Sequence, residues 1–398
     1  MSGRSSNSEL VAFDKSVELF PVRKQGVYLN ACGINAAYAG AAAAGARYFK
    51  RHSELGILIF SDPEFVGLKA KFKSAFSQLI RVDAADVSLT KNYAEAACQI
   101  ALGYPFVPGD EIISYCKEYP SNFWPWKQLE KKGVGLKLLP DCAPVSGLPN
   151  TTNPLGWSFD DLVRTITPRT KIIAISHVQF TSGFAAELPK LGALCKERAI
   201  DLVVDVAQSL GALPVYPKEW NVACVIASGW KWLMGPIGCG VMYTAPEFRA
   251  KIEAVLVGPD MMGQGDDYLN YTFDPLKSGA FFEYSTTSYP HTAALEAVLR
   301  EVHLRYTPEQ VRDELYRLQD LFLQNLTSER VKPVVFPQAH RSGILSLLCE
   351  DKPEAVQARL KAEKIICSVR GGYLRVAPHF FVTDDEMLRA AEVLNRVA

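Results

Sequence analysis

The sequence lacks a CxxC pair, and its nine cysteines, Cys32, Cys98, Cys224, Cys239 and Cys367 among them, are odd in number and scattered. Neither a disulfide framework nor a zinc cage fits that spacing, so no metal is expected and a reducing cytoplasm is the natural setting. Net charge is also missing: 43 basic residues balance 43 acidic ones, and no overall field draws the chain to a polyanion such as nucleic acid. No stretch holds the roughly 18 uninterrupted apolar residues of a membrane helix, and the polar start "MSGRSSNSEL" has no apolar signal core. The chain therefore reads as soluble and unprocessed, with a small partner and no membrane. Internal repeats are absent, and the one low-complexity patch, "AGAAAAGA" (39–46), reads as a tightly packed small-residue segment.

What the chain has in plenty is apolar residues. Of its 398 residues, 48% are hydrophobic and 22% charged, ample for one large and one smaller domain. Val- and Ile-rich runs recur between helical patterns: "DEIISY" (110–115), "TKIIAIS" (170–176), "IDLVVDV" (200–206) and "ACVIAS" (223–228). Continuous apolar strands alternating with segments such as "LPKLGALCKERA" point to an α/β domain, a parallel sheet with helices on both faces. Beyond about residue 290, near "SYPHTA", the texture changes to charged helical patterns, then strands "GILSLL" and "YLRVAP", then the amphipathic "DDEMLRAAEVLNRV". Helices on one side of a short antiparallel sheet suit that order.

The stretch "VVDVAQSLGA" (203–212) carries a buried strand straight into Asp205 and Gln208. An aspartate at such a place commonly caps the helix that follows. A second strand, "ACVIAS", runs into "GWKWLMGPIGCG", where Lys231 stands between Trp230 and Trp232. A lysine held among aromatics is partly desolvated, which lowers its pKa and frees its amine for imine chemistry. Two strand ends then present an acid and an amine at the carboxyl edge of the sheet, where ligands of open α/β sheets bind. A pyridinium cofactor needs both, a carboxylate to keep its ring nitrogen protonated and an amine to hold its aldehyde. "SLTKNYAEAACQIAL" supplies a helix N-terminus for a phosphate, with Ser88 or Thr90 ahead of it, Glu95 in its first turn, and amides near Tyr93 and Ala94. In "KEYPSNFWPW", Tyr119 offers an aromatic for a ring face.

With these parts together the chain resembles the class V aminotransferase group of fold-type I pyridoxal-phosphate enzymes, which includes cysteine desulfurases, selenocysteine lyases, kynureninase and isopenicillin N epimerase-like proteins. The similarity runs from "VYLNACGIN" (27–35) through "DVAQSLGA" and "SGWKW" to "YLRVAPHF" (373–380). It implies a mostly parallel seven-stranded sheet in a large domain, residues 23–290, with residues 1–22 and 291–398 forming a smaller α+β domain. It implies that Lys231 holds pyridoxal 5'-phosphate, that Asp205 contacts the pyridine nitrogen and Gln208 the ring hydroxyl, and that Ala207 and Tyr119 cover the ring faces. Ser228 with the amides of Tyr93 and Ala94 would hold the phosphate; alanine at 94, where relatives carry threonine, removes one hydroxyl. Thr286 in "FFEYSTTSYP" matches a threonine sent across a homodimer interface to the neighbour's phosphate. Arg375 in "YLRVAPHF" matches the arginine that clamps the substrate carboxylate, a task suited to its planar fork.

Three departures narrow the reaction. Between Arg370 and Arg375 there is no room for the mobile loop on which desulfurases carry a catalytic cysteine, so Cys367 reads as a core thiol. Phe180 aligns where desulfurases place an asparagine, and its bulk would either restrict a free amino acid or shape an apolar wall for a larger one; His177 beside it is a candidate acid or base or a satisfied strand-end histidine. Trp230 replaces a histidine before the lysine, leaving Lys231 itself as acid and base at Cα. The resemblance thus implies an enzyme acting on an amino-acid-like substrate through an external aldimine and a Cα carbanion. C–S lysis by β-elimination on cysteine or an S-substituted cysteine is the first expectation. Transamination, epimerisation, decarboxylation or deamination, and a non-catalytic binding subunit of the same fold, are the alternatives.

Overall fold

The computed structural model describes residues 11–398. The expected apolar runs form the middle of a seven-stranded sheet whose order is Val87–Thr90, Gly240–Thr244, Cys224–Ser228, Asp201–Asp205, Thr170–Ser176, Glu111–Tyr115 and Gly135–Leu139. Only Gly240–Thr244 runs against its neighbours. The strands Thr170–Ser176, Asp201–Asp205 and Cys224–Ser228 are parallel and almost wholly buried, as unbroken apolar runs require. In register, Ser176 lies beside Asp205, and Ser228 beside Gly240 on the antiparallel strand. The sheet therefore delivers Asp205 and Ser228 to one edge.

A four-stranded antiparallel sheet, ordered Ser368–Arg370, Tyr373–Val376, Leu345–Cys349 and Val331–Val334, follows in the C-terminal part. Helices Pro308–Asn325, Pro353–Ala362 and Asp384–Val397 accompany it. The last opens on a capping box in which Thr383 and Glu386 satisfy each other's backbone amides. Val27–Tyr28 pairs in parallel with Ile365–Ile366, and Asn30 bridges Ala377, so the start of the chain is hydrogen-bonded to its end. The small-residue patch opens helix Ala39–Leu55, which packs on helix Tyr289–Val298. A Cβ on Gly45 would come 3.2 Å from the Pro290 carbonyl oxygen, and the missing side chain permits that approach. Among the described residues no helix is long and apolar enough to cross a membrane.

Candidate active site

At the sheet's carboxyl edge lies a cavity of about 610 Å³, lined by Tyr93, Ala94, Tyr119, Asp205, Ala207, Gln208, Ser228, Lys231 and Arg375. These are all but one of the expected site residues, brought together from five parts of the chain. Thr286 is the exception: it is exposed and lies outside the cavity of its own chain.

Asp205 ends its strand and turns inward. Its Oδ1 accepts the Ala207 amide at 2.8 Å, and the residues that follow form turns, so the carboxylate caps a turn where a helix cap was the simple expectation. Burial pushes the Asp205 carboxyl up to about 7; the charge of Lys231 and the Ala207 amide pull the other way, and buried Glu118 adds to the rise. Lys231 sits in the loop between Cys224–Ser228 and Gly240–Thr244, fixed by the Met234 amide donating to the Lys231 carbonyl at 2.9 Å. Burial lowers the Lys231 pKa below the ordinary lysine value against the pull of Asp205. Burial thus drives both groups toward neutrality until a ligand supplies compensating charge.

The helix Tyr93–Gly103 points its N-terminus at the same cavity. Its cap is Asn92, whose side chain accepts the Glu95 amide at 2.9 Å. Neither Ser88 nor Thr90, the expected caps, serves, because both belong to the strand Val87–Thr90; Ser88 Oγ instead donates to the Gly279 carbonyl. With Asn92 bonded to Glu95, the amides of Tyr93 and Ala94 have no partner within the helix. Gly240, beside Ser228, lets this helix approach: a Cβ there would lie 2.8 Å from Thr90 Oγ1 and 3.5 Å from Asn92 Cα. Free amides at a helix N-terminus beside the cavity-lining Ser228 suit a phosphate.

Tyr119 is held from behind. Buried Glu118 accepts the Ser176 amide at 2.7 Å, the Ser176 hydroxyl at 2.6 Å and the Tyr119 amide at 3.2 Å. Asn122 takes the Tyr93 hydroxyl at 2.7 Å and Trp126 Nε1 at 3.2 Å, tying the aromatic loop to the phosphate-facing helix. The Lys231 amine stands over the Tyr119 ring, and Phe180, which also lines the cavity, meets that ring edge-on at 5.2 Å.

Gln208 is gripped at both ends, its Nε2 donating to the Cys32 carbonyl at 2.8 Å and its Oε1 accepting from Trp232 Nε1 at 2.9 Å. The two carbonyls after Lys231 are also held: Trp232 O by His379 at 3.0 Å and Leu233 O by His303 at 3.2 Å, two imidazoles that burial keeps neutral. Arg375, only 2% exposed, donates Nη2 to Ser368 Oγ at 2.9 Å and Nη1 to the Phe180 carbonyl, while its Nε has no partner. Among the described residues Arg375 makes no ion pair with a carboxylate. A buried guanidinium in that state suits an incoming anion.

His177 does not line the cavity; burial takes its pKa down to about 3, and its ring packs near Trp220. Acid–base work by His177 is therefore not supported by its position. Cys367 is buried, and burial pushes its thiol up to about 12. Other cavity residues were not anticipated, among them Asn30, Cys32, Asn92, Ser121, Ser368 and Arg370. "VYLNACGIN", quoted for its likeness, contained the first two, polar residues just past a short strand.

The residues present fit a pyridoxal phosphate: an amine whose pKa burial lowers, a carboxylate on the neighbouring strand end, an aromatic beside the amine, and helix amides for the anion. Comparison with known proteins bears on the same point. A "probable cysteine desulfurase" of Pyrococcus abyssi is 33% identical over 188 residues, which are 47% of this chain and 44% of that protein. The chain thus spans less than half the length of that curated relative. Among solved structures, a lysine-to-alanine variant of C-DES with glycine covalently linked to its PLP cofactor superposes with a TM-score of 0.86 at 22% identity, covering 96% of this chain and all of that one. C-DES, described as a cystine C–S lyase and bound to its product cysteine persulfide, superposes with a TM-score of 0.85 at 22% identity, covering 95% of this chain and 100% of that one. That likeness is one of fold. The family model for class-V aminotransferases matches residues 64–390, most of the sequence. The chain belongs to the class-V aminotransferase family and is a pyridoxal 5'-phosphate-dependent enzyme.

Proposed function

We propose that the protein cleaves the Cβ–S bond of cysteine or an S-substituted cysteine by β-elimination, as a cytoplasmic homodimer. The observation that carries the reading is the meeting, in one cavity, of an amine whose charge is suppressed by burial with a buried arginine that has no carboxylate of its own. Lys231 would hold the cofactor aldehyde. Asp205 would serve the ring nitrogen, Gln208 the ring hydroxyl, Ala207 and Tyr119 the two ring faces, and Ser228 with the Tyr93 and Ala94 amides the phosphate. Thr286 serves the phosphate of the partner subunit's site. When bound, the cofactor supplies an electron sink for the charge left at Cα.

The protein supplies the rest. Arg375 takes the substrate α-carboxylate in its fork and fixes the amino acid's orientation. Lys231 Nζ, whose pKa burial lowers below the ordinary lysine value, removes the Cα proton. Phe180 and Tyr119, ring against ring at 5.2 Å, border that exchange. The sulfur then leaves with the electrons of its bond to Cβ and takes up a proton; with one water consumed, the products are a thiol or sulfide, pyruvate and ammonium. No protein thiol is needed as acceptor. Cys367 is a core thiol, and the strands Ser368–Arg370 and Tyr373–Val376 are joined by only Gly371 and Gly372, both at positive φ, which leaves no loop for another cysteine. The relatives described as cysteine desulfurases and as a cystine C–S lyase support sulfur as the leaving atom.

The test is product analysis of purified holoenzyme with L-cysteine, S-alkyl cysteines and L-alanine. Equimolar pyruvate and thiol or sulfide are expected from the sulfur substrates. Stoichiometric conversion of the cofactor to its pyridoxamine form, without sulfur release, would replace the proposal with transamination.

A further inference from the structure

Arg375 is not the only arginine facing the cavity. Ser368–Arg370 runs antiparallel to Tyr373–Val376 with Ser368 opposite Arg375 and Arg370 opposite Tyr373. Alternate residues of a strand share a face, so Ser368, Arg370, Tyr373 and Arg375 stand on one side of this hairpin. Arg370 and Arg375 are diagonal neighbours across it, a separation typically of about 7–8 Å. Both line the cavity, Arg375 buried and Arg370 exposed.

The cavity's charge is lopsided. Its charged lining residues are Asp205, Lys231, Arg370 and Arg375, one acid against three bases. Among the described residues neither arginine pairs with a carboxylate; Arg370 Nη1 donates only to the Val369 carbonyl at 2.7 Å, leaving the rest of its fork free. Two like charges held on one sheet face repel unless an anion lies between or upon them. One α-carboxylate satisfies Arg375 and leaves Arg370 at the mouth, one side chain's length away.

We infer that Arg370 sets side-chain specificity: the preferred substrate carries a second anionic group, a carboxylate at the far end of its side chain, which Arg370 binds while Arg375 holds the α-carboxylate. This rests on the reading of the cavity as an amino-acid site. Joined to the lyase chemistry, it names S-substituted cysteines whose sulfur substituent ends in a carboxylate.

The experiment titrates holoenzyme with L-2-aminoadipate and with L-norleucine, six-carbon amino acids that differ at the far end and have no sulfur to lose, reading binding from the cofactor's visible band. The wild type should bind aminoadipate about tenfold to hundredfold more tightly, the usual worth of a charge-assisted hydrogen bond. Arg370→Ala should lose most of that preference, and Arg370→Lys should retain part of it. Equal affinities in the wild type, or a preference that survives Arg370→Ala, overturn the inference. Because no C–S bond breaks in this assay, a preference that depends on Arg370 upholds the inference even if no sulfur substrate is cleaved, a result that would sink the lyase reading alone.

Discussion

Lys231 Nζ stands 5.2 Å from the centroid of the Tyr119 ring. A ring face attracts a cation, yet burial opposes the charge, so the pair marks a place built for a flat group that bonds to the amine and stacks on the aromatic. Tyr119 remains 40% exposed, with one side available to the cavity.

Tyr119→Phe should keep cofactor affinity, since the stacking surface survives, whereas Tyr119→Ala should weaken it by about threefold to tenfold, the worth of an aromatic contact. Equilibrium dialysis of the apoenzyme reads both values. Equal affinities for the Ala and Phe variants would remove Tyr119 from the cofactor site.

Asp205 gives a pH dependence with a definite sign. Burial pushes its carboxyl up to about 7. Below that pH it is neutral and cannot pair with a protonated ring nitrogen; above it the carboxylate is present. Apoenzyme affinity for the cofactor should therefore rise with pH through about 7, and the Asp205→Asn variant should lack that step. Superimposable affinity–pH curves for the two proteins would contradict the pairing.

For Arg375→Ala, the apparent KM for amino-acid substrates should rise by about tenfold to hundredfold, as expected for a lost charged hydrogen bond. Cys367→Ala should change sulfide release by less than about twofold, because a buried thiol held near 12 carries almost no thiolate at neutral pH. A Cys367→Ala enzyme that no longer releases sulfur would restore a persulfide route.

Glu118 acts through others. Glu118→Leu leaves the Ser176 amide and hydroxyl buried without their acceptor, at a cost of about 1–3 kcal/mol in stability. Glu118→Gln keeps one acceptor oxygen and should recover part of it, together with the cofactor affinity that depends on where Tyr119 sits. Denaturant unfolding and dialysis check the two halves; a Leu variant as stable as wild type would show that the carboxylate is idle.

Four of the parallel strands were legible because each carries a Val/Ile run, while the edge strand Gly135–Leu139, with a lysine and no Val or Ile, was not; Asp205, Gln208 and Lys231 were legible because such runs lead into them. Asn92 was passed over for Ser88 and Thr90. A local reading of capping residues cannot see that Val87–Thr90 pairs with Gly240–Thr244 and so spends those two residues in a strand. Glu118 gave no signal because its main partner, Ser176, lies 58 positions away and meets it only in the folded sheet. Arg370 was noticed for its spacing from Arg375, but its face follows from the Ser368–Arg375 register, which sequence alone does not supply.

The most direct test of the site is to reduce holoenzyme with borohydride, digest it and map the modified peptide by mass. The account predicts the reduced cofactor's mass on Lys231 alone, and no covalent adduct in Lys231→Ala despite retained noncovalent binding. A label on another lysine, or full turnover by Lys231→Ala, would contradict it.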